Sequence, residues 1–171
     1  DRRATDTLRV SSYLQRLSSV TGHAIRLDDR DPNFWVYIVS EDERQAMAPV
    51  LRQLMPDLTA NDVAGITDLP RQTYCIVYAQ SQGSSGVYTK ALAVIRAEHP
   101  DLLRLSCLHE EIAQGLGLPN DSPTARPSIF NDDEEFALLT VQDETTDSAK
   151  PVPVMRLGRT EPEARPIVES L

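Results

Sequence analysis

The sequence predicts an α+β domain, and three observations carry that prediction. Apolar residues recur at three- and four-residue spacing over Thr5–Val20 and Asp101–Gly117, as on an amphipathic helix. β-Branched and aromatic residues crowd into Phe34–Val39, Thr73–Ala79 and Val87–Ala97, the habit of half-buried strands. Seven of the twelve prolines lie at or beyond Pro119, which sets an irregular tail behind the regular elements. The resulting order, α-β-β-α-β-β-α and then the tail, suggests a mixed sheet with helices packed on one face.

The elements follow from local signals. Leu8, Val10, Leu14, Leu17 and Val20 form the apolar stripe of the first helix, which Gly22 closes. Ala24–Leu27 and Phe34–Val39 read as two paired strands, separated by the turn-forming stretch Asp28–Asn33 with Pro32. Ser40 before Glu41, Asp42 and Glu43 is a helix start, because a capping hydroxyl and early acids satisfy free amides and the macrodipole. That helix should run toward Met55 and stop at Pro56, with a kink or break at Pro49. Asn61–Pro70 reads as a loop, and Ser81–Gly86 as the hairpin loop between the next two strands. Asp101 opens the strongest helix signal, with Leu102, Leu105, Leu108, Ile112 and Leu116 along one stripe and Gly117 at its end. One short helix is expected at Glu134–Asp143. Residues 1–144 are read as a single domain and residues 145–171 as a Pro-rich tail or extension.

Composition excludes whole classes of function. The 171 residues carry 17 basic and 26 acidic side chains, a formal charge of −9, with no Lys/Arg cluster to meet a phosphate backbone; nucleic acid is not an expected partner. The longest apolar runs, FWVYIV and ALAVI, fall far short of the roughly 20 residues that span a bilayer. A chain that begins at Asp1 without a charged-then-apolar leader is expected to be a processed or trimmed form. Cys75 and Cys107, outside any CxxC spacing, suit either one disulfide or two buried thiols.

The segment from Glu110 to Asp121, EEIAQGLGLPND, repeats the spacing of a known chemical layout. In zinc peptidases two histidines at i and i+4 grip the metal from one helix face, the Glu after the first polarises the bound water, and a third ligand follows a helix-breaking glycine. On that HExxHxxGxxH(D) pattern fall Glu110, Glu111, Gln114, Gly117, Asn120 and Asp121. Downstream, Pro127-Ser128-Ile129-Phe130-Asn131 resembles the Met-turn, with Phe130 in the Met position, and Phe136–Thr140 followed by Gln142-Asp143-Glu144 is similar to the LSxxD segment that opens the last helix. Together these motifs resemble a degenerate metzincin active site. The wider wording, EEIxQxLGLxND, PSIFND and LLTxQDE, over about Thr73–Glu144, also resembles an uncharacterised proteobacterial family described as secreted lipoproteins.

The resemblance implies a metzincin or zincin-like scaffold, with a carboxylate kept at the general-base position, Glu111, while Glu110, Gln114 and Asn120 stand where the zinc ligands would be. Neutral amide oxygens are poor zinc ligands beside imidazole, so no cofactor is expected. The alternative is an oxygen-rich site of Glu110, Gln114, Asn120 and Asp121 suited to a hard cation, with Glu111 as base of a metal-dependent hydrolase. As structure, Gly117 would end the helix, Phe130 would fill the floor beneath the site, and Glu110, Glu111 and Gln114 would form a polar cluster hydrogen-bonded to the Ser128–Asn131 segment. A Cys75–Cys107 disulfide is expected on the same ground, joining a strand to the first turns of the helix that crosses it. An extracytoplasmic location, periplasmic or outer-membrane-associated, and a lipid anchor upstream follow from the lipoprotein likeness. Residues 145–159, TTDSAKPVPVMRLGR, depart from the family's aromatic-rich final helix, since Pro151 and Pro153 forbid a regular one.

Other candidates take plainer readings. His109 has Ala113 at i+4, which cannot ligate, and is expected to face solvent or cap; His23 and His99 sit in predicted turns as surface residues. Cys107 lies near the face of Glu110, yet no Cys/His signature makes it a nucleophile. Asp132–Glu135 lacks the alternation and Gly of a calcium loop and reads as a solvated acidic turn. Ser84 and Ser85 lack the GxxxxGK[ST] context of a phosphate cradle. The function expected is a non-catalytic extracytoplasmic binding or assembly domain with protein partners; an accessory subunit of an envelope complex, docking through its tail, is the further alternative.

Overall fold

β3 (Tyr88–Arg96) is the middle strand of a three-stranded sheet, and its Ala91–Ile95 stretch is buried on both faces. β1 (Phe34–Val39) lies parallel to it in the register Phe34↔Ala91 to Val39↔Arg96. β2 (Cys75–Ser81) lies antiparallel on the other side, from Cys75↔Ile95 to Gln80↔Lys90, with an irregularity between Gln80 and Ser81. The helices are α1 (Arg2–Thr21), α2 (Glu41–Gln45), α3 (Ala48–Leu54), α4 (Ala60–Thr67) and α5 (Asp101–Gly115). This computed structural model describes residues 2–28, 30–81, 88–117, 124, 127–131, 138, 140 and 143. All but the first residue of the hairpin loop expected at Ser81–Gly86, most of the helix expected at Glu134–Asp143, the acidic turn Asp132–Glu135 and the tail 145–171 lie outside them.

The architecture is mixed α+β, as the order of signals predicts, but helices cover both faces of the sheet rather than one. Trp35, Tyr37, Val39, Leu92 and Val94 point to a core closed by Met47, Leu51 and Met55 around α3 and by Val63 and Ile66 of α4. Phe34, Val36, Ile38 and Ile95 point the opposite way, to Tyr13 and Leu17 of α1 and to Cys107, Leu108 and Ile112 of α5. FWVYIV is apolar at every position, and side chains alternate along a strand, so each of its faces demands a cover.

Two expectations are corrected. Ala24–Leu27 is not a strand, and β1 takes β3 as its partner instead. The Ser18 hydroxyl donates to the His23 carbonyl and accepts from the Ile25 amide, so part of this segment's backbone is satisfied by a helix side chain rather than by a ladder. Asn61–Pro70 is not a loop throughout: α4 occupies it as far as Thr67. Its start is a capping box, with the Asp62 carboxylate accepting from the Thr59 amide at 2.8 Å and Thr59 Oγ1 accepting from the Asp62 amide at 3.2 Å. Gly65, which suggested a loop, serves packing, since a Cβ there would stand 2.6 Å from the Tyr78 hydroxyl oxygen. The helix begun at Ser40 does break, with α2 ending at Gln45 and Pro49 placed at the start of α3.

Buried ion pairs tie these layers together. Arg104 of α5, 1% exposed, meets both carboxylate oxygens of Asp6 on α1 at 3.1 Å and donates to the His99 carbonyl at 3.0 Å. Arg96 at the end of β3 donates to the carbonyls of Leu69, Pro70 and Thr73 and to Glu41. Several acceptors around one guanidinium offset much of its costly desolvation, although Arg104 Nε itself has no hydrogen-bond partner among the described residues.

Candidate cleft between the edge strand and the last helix

α5 crosses the sheet beneath β2, and Gly115 makes the approach close. A Cβ on Gly115 would lie 2.5 Å from Phe34 Cζ and 3.3 Å from Val77 Cγ2, so the helix can sit this near the strands only with glycine there. The helix then ends, and Gly117 takes φ +126°, a backbone conformation that L side chains rarely adopt. The resemblance assigns that helix-ending role to Gly117.

The crossing leaves a cleft of about 300 Å³ lined by Cys75, Ile76, Val77 and Ala79 of β2, Tyr88 of β3, and Glu110, Glu111 and Gln114 of α5. Cys75 and Cys107 form a disulfide, with Cα atoms 5.9 Å apart, that pins the helix to the strand one turn before Glu110. Glu111 is 4% exposed, whereas Glu110 and Gln114 are half-buried. The Cys75 Sγ and one carboxylate oxygen each of Glu110 and Glu111 lie within 4.8 Å of one another. Spacing of i, i+1 and i+4 on α5 thus brings all three helix-borne motif candidates, Glu110, Glu111 and Gln114, to one wall, and Gly117 follows at the turn after them. Asn120 and Asp121 lie outside the described residues.

A second polar centre gathers the two downstream motifs. The Asp143 carboxylate, 3% exposed, accepts from the Ser128 hydroxyl, from the Ile129 amide at 3.0 Å and from the Thr140 amide at 2.7 Å. Thr140 Oγ1 in turn accepts from the Asp143 amide at 3.3 Å and donates to the Pro127 carbonyl at 2.6 Å. The amide of Phe130 donates to Ser128 Oγ at 3.0 Å, and that of Asn131 to the Ser128 carbonyl at 3.3 Å. Ile129 and Asn131 are buried, while Phe130 is half-buried. Asp143 was not among the candidate site residues; its signal is the Thr-x-x-Asp spacing, which α4 also uses.

His109 is placed differently from expectation. It faces α1, stacked on Tyr13 with ring centroids 4.0 Å apart and planes 11° apart, and the Tyr13 hydroxyl donates to its carbonyl at 2.8 Å. Burial first, and the nearby Arg16 charge second, lower its pKa to about 4. His99 is half-buried at the β3–α5 turn, edge-on to Tyr74 at 5.3 Å. No histidine lines the cleft among the described residues. The donors there, carboxylate and amide oxygens, do not fit a catalytic zinc held by imidazoles. No helix among the described residues is long and apolar enough to cross a membrane. The disulfide is compatible with an oxidising, extracytoplasmic compartment.

No curated protein and no solved structure matches the chain. One family model does, described as a protein of unknown function (DUF2927), and it matches residues 1–170. Because that match takes in nearly every residue, sheet, cleft and downstream centre alike, the chain belongs to the DUF2927 family.

Proposed function

We propose that the protein is a non-catalytic extracytoplasmic binding or assembly domain on a metzincin-like scaffold, whose cleft between β2 and α5 holds a protein partner. One observation carries the reading: the cleft assembles Glu110, Glu111 and Gln114 at the spacing of a peptidase helix, yet its described lining has oxygen donors where imidazoles would be needed. The bonds from Ser128 and Ile129 to Asp143 support the scaffold half of the proposal, since they join the Met-turn-like and LSxxD-like segments to each other. A wall of carboxylates beside an exposed strand position, Ala79, suits a partner that brings basic or amide donors. The likeness to proteobacterial lipoproteins supports a location at the cell envelope and a lipid anchor upstream as parts of this reading; an accessory subunit that docks on an envelope complex through residues 145–171 is a separate alternative.

The competing reading is a metal-dependent hydrolase with Glu111 as general base, favoured by the clustering of Glu110 and Glu111 in one cleft. Metal analysis of the disulfide-bonded protein, purified without chelator and again after zinc, calcium and manganese are added, separates the two. The binding reading expects no stoichiometric metal, together with a photo-crosslinker at Gln114 that captures a discrete partner and fails to do so when Ala79→Trp fills the cleft. A stoichiometric metal that disappears in Glu110→Ala reverses the ranking.

A further inference from the structure

We propose that reduction of the Cys75–Cys107 disulfide creates a zinc site, made of the Cys75 thiolate and the carboxylates of Glu110 and Glu111. The three ligand atoms come from two elements, β2 and α5, and already lie within 4.8 Å of one another. Ligands at zinc bond lengths of about 2.0–2.3 Å in a tetrahedron stand roughly 3.3–3.8 Å apart, so each pair has at most about 1.5 Å to close. The fourth position opens to the cleft of about 300 Å³, which has room for water or a ligand.

In the oxidised protein the sulfur is neutral and bonded to Cys107, and two carboxylates alone make a poor zinc site. Reduction changes the donor set. A dithiol reductant attacks the disulfide, the S–S bond breaks, two electrons and two protons pass to the cysteine pair, and the reductant leaves as its own disulfide. Access is from the cleft, which Cys75 lines, whereas Cys107 is 1% exposed among Leu17, Ile95 and Leu108. Zinc binding then displaces the Cys75 thiol proton, and the metal's two positive charges offset all but one of the three ligand anions. A thiolate selects zinc over calcium or magnesium, which the carboxylates by themselves would not do. The site goes beyond the binding function and does not depend on it: it uses a strand cysteine and needs neither Gln114 nor a partner.

The test is zinc affinity by competition with a chromophoric chelator, on the full chain, oxidised and reduced, and on Cys107→Ala and Cys75→Ala. Both variants lack the disulfide, but only the first keeps the proposed ligand. The expected result is about one zinc per chain in the reduced protein and in Cys107→Ala, and binding weaker by about a hundredfold in the oxidised protein and in Cys75→Ala. Cobalt added to Cys107→Ala should show a thiolate-to-metal charge-transfer band. Equal affinity in the two cysteine variants, or no gain on reduction, overturns the proposal. Should Cys107→Ala not fold, the reduced wild-type chain is compared with reduced Glu110→Gln, and equal zinc affinity in those two overturns it as well.

Discussion

Asp143 shows how much one carboxylate can organise. Its two oxygens take three donors, from Ser128, Ile129 and Thr140, in a site 3% exposed. Asp143→Ala strands those donors and should lower unfolding free energy by about 3 kcal/mol in urea denaturation. Asp143→Asn should cost only about 1 kcal/mol, because the amide oxygen can keep the two backbone N–H groups while the amide nitrogen donates to a reoriented Ser128 hydroxyl. Equal losses in the two variants would show that charge, rather than hydrogen-bond number, governs the site. At His109 the sign runs through protonation. Its folded pKa, lowered to about 4 from an ordinary 6.5, means the folded chain favours the neutral ring. The stability it contributes is complete above pH 6.5 and is lost progressively as pH falls toward 4. His109→Phe keeps a ring against Tyr13 and removes the titration. The stability difference between wild type and this variant should therefore change between pH 7 and 4, with wild type losing more, and a constant difference would contradict the assigned pKa. Ala113 at i+4 argues against His109 as a metal ligand, but its stacking partner Tyr13 lies 96 residues away in sequence, beyond any local pattern.

Among the elements, Gly115 decides how α5 meets the sheet. An added Cβ would overlap the Phe34 ring at 2.5 and 2.6 Å and press Val77 Cγ2 at 3.3 Å. Gly115→Ala gains helix propensity of roughly 1 kcal/mol, yet overpacking of this kind costs about 1–3 kcal/mol, so the net should be destabilising or near neutral. A thermal melt and the near-ultraviolet circular dichroism of the cleft's aromatic surroundings would check it; a clearly stabilised variant would show that the helix is free to move away. The elements differ in how plainly the chain announces them, for physical reasons. α1 and α5 were legible because each carries its own apolar period and a glycine after the last turn, and β1 because it is an unbroken run of β-branched and aromatic residues. α4 was obscured by Gly65 and by an Asp instead of a Glu in the capping box at Thr59. Ala24–Leu27 looked strand-like from composition, but its Ile25 amide is taken by the Ser18 hydroxyl of α1 rather than by a ladder, and β1 pairs with β3 instead.

For the whole molecule, the decisive contact is the disulfide, because it spans two elements that the sheet alone does not join. The cysteines' identity as the one candidate pair was legible, and the resemblance implied their bond. The cleft beside them was not, since its strand wall depends on β2 pairing with β3 and its helix wall on a glycine against Phe34. A cross-link over a separation of 32 residues restricts the unfolded chain by about 3–4 kcal/mol in the loop-entropy account. Cys75→Ala should lose about that amount. Cys107→Ala should lose more, by about 1 kcal/mol, because Cys107 is 1% exposed within the α1–α5 core and its truncation leaves a cavity, whereas Cys75 is half-buried at the cleft. The urea midpoint of each variant, compared with oxidised and reduced wild type, separates the two contributions: reduction removes the loop constraint alone, and the excess loss in Cys107→Ala measures the packing. If reduction left the midpoint unchanged, the helix would be held to β2 by packing around Gly115 without help from the covalent bond, and the cleft would keep its shape in either redox state.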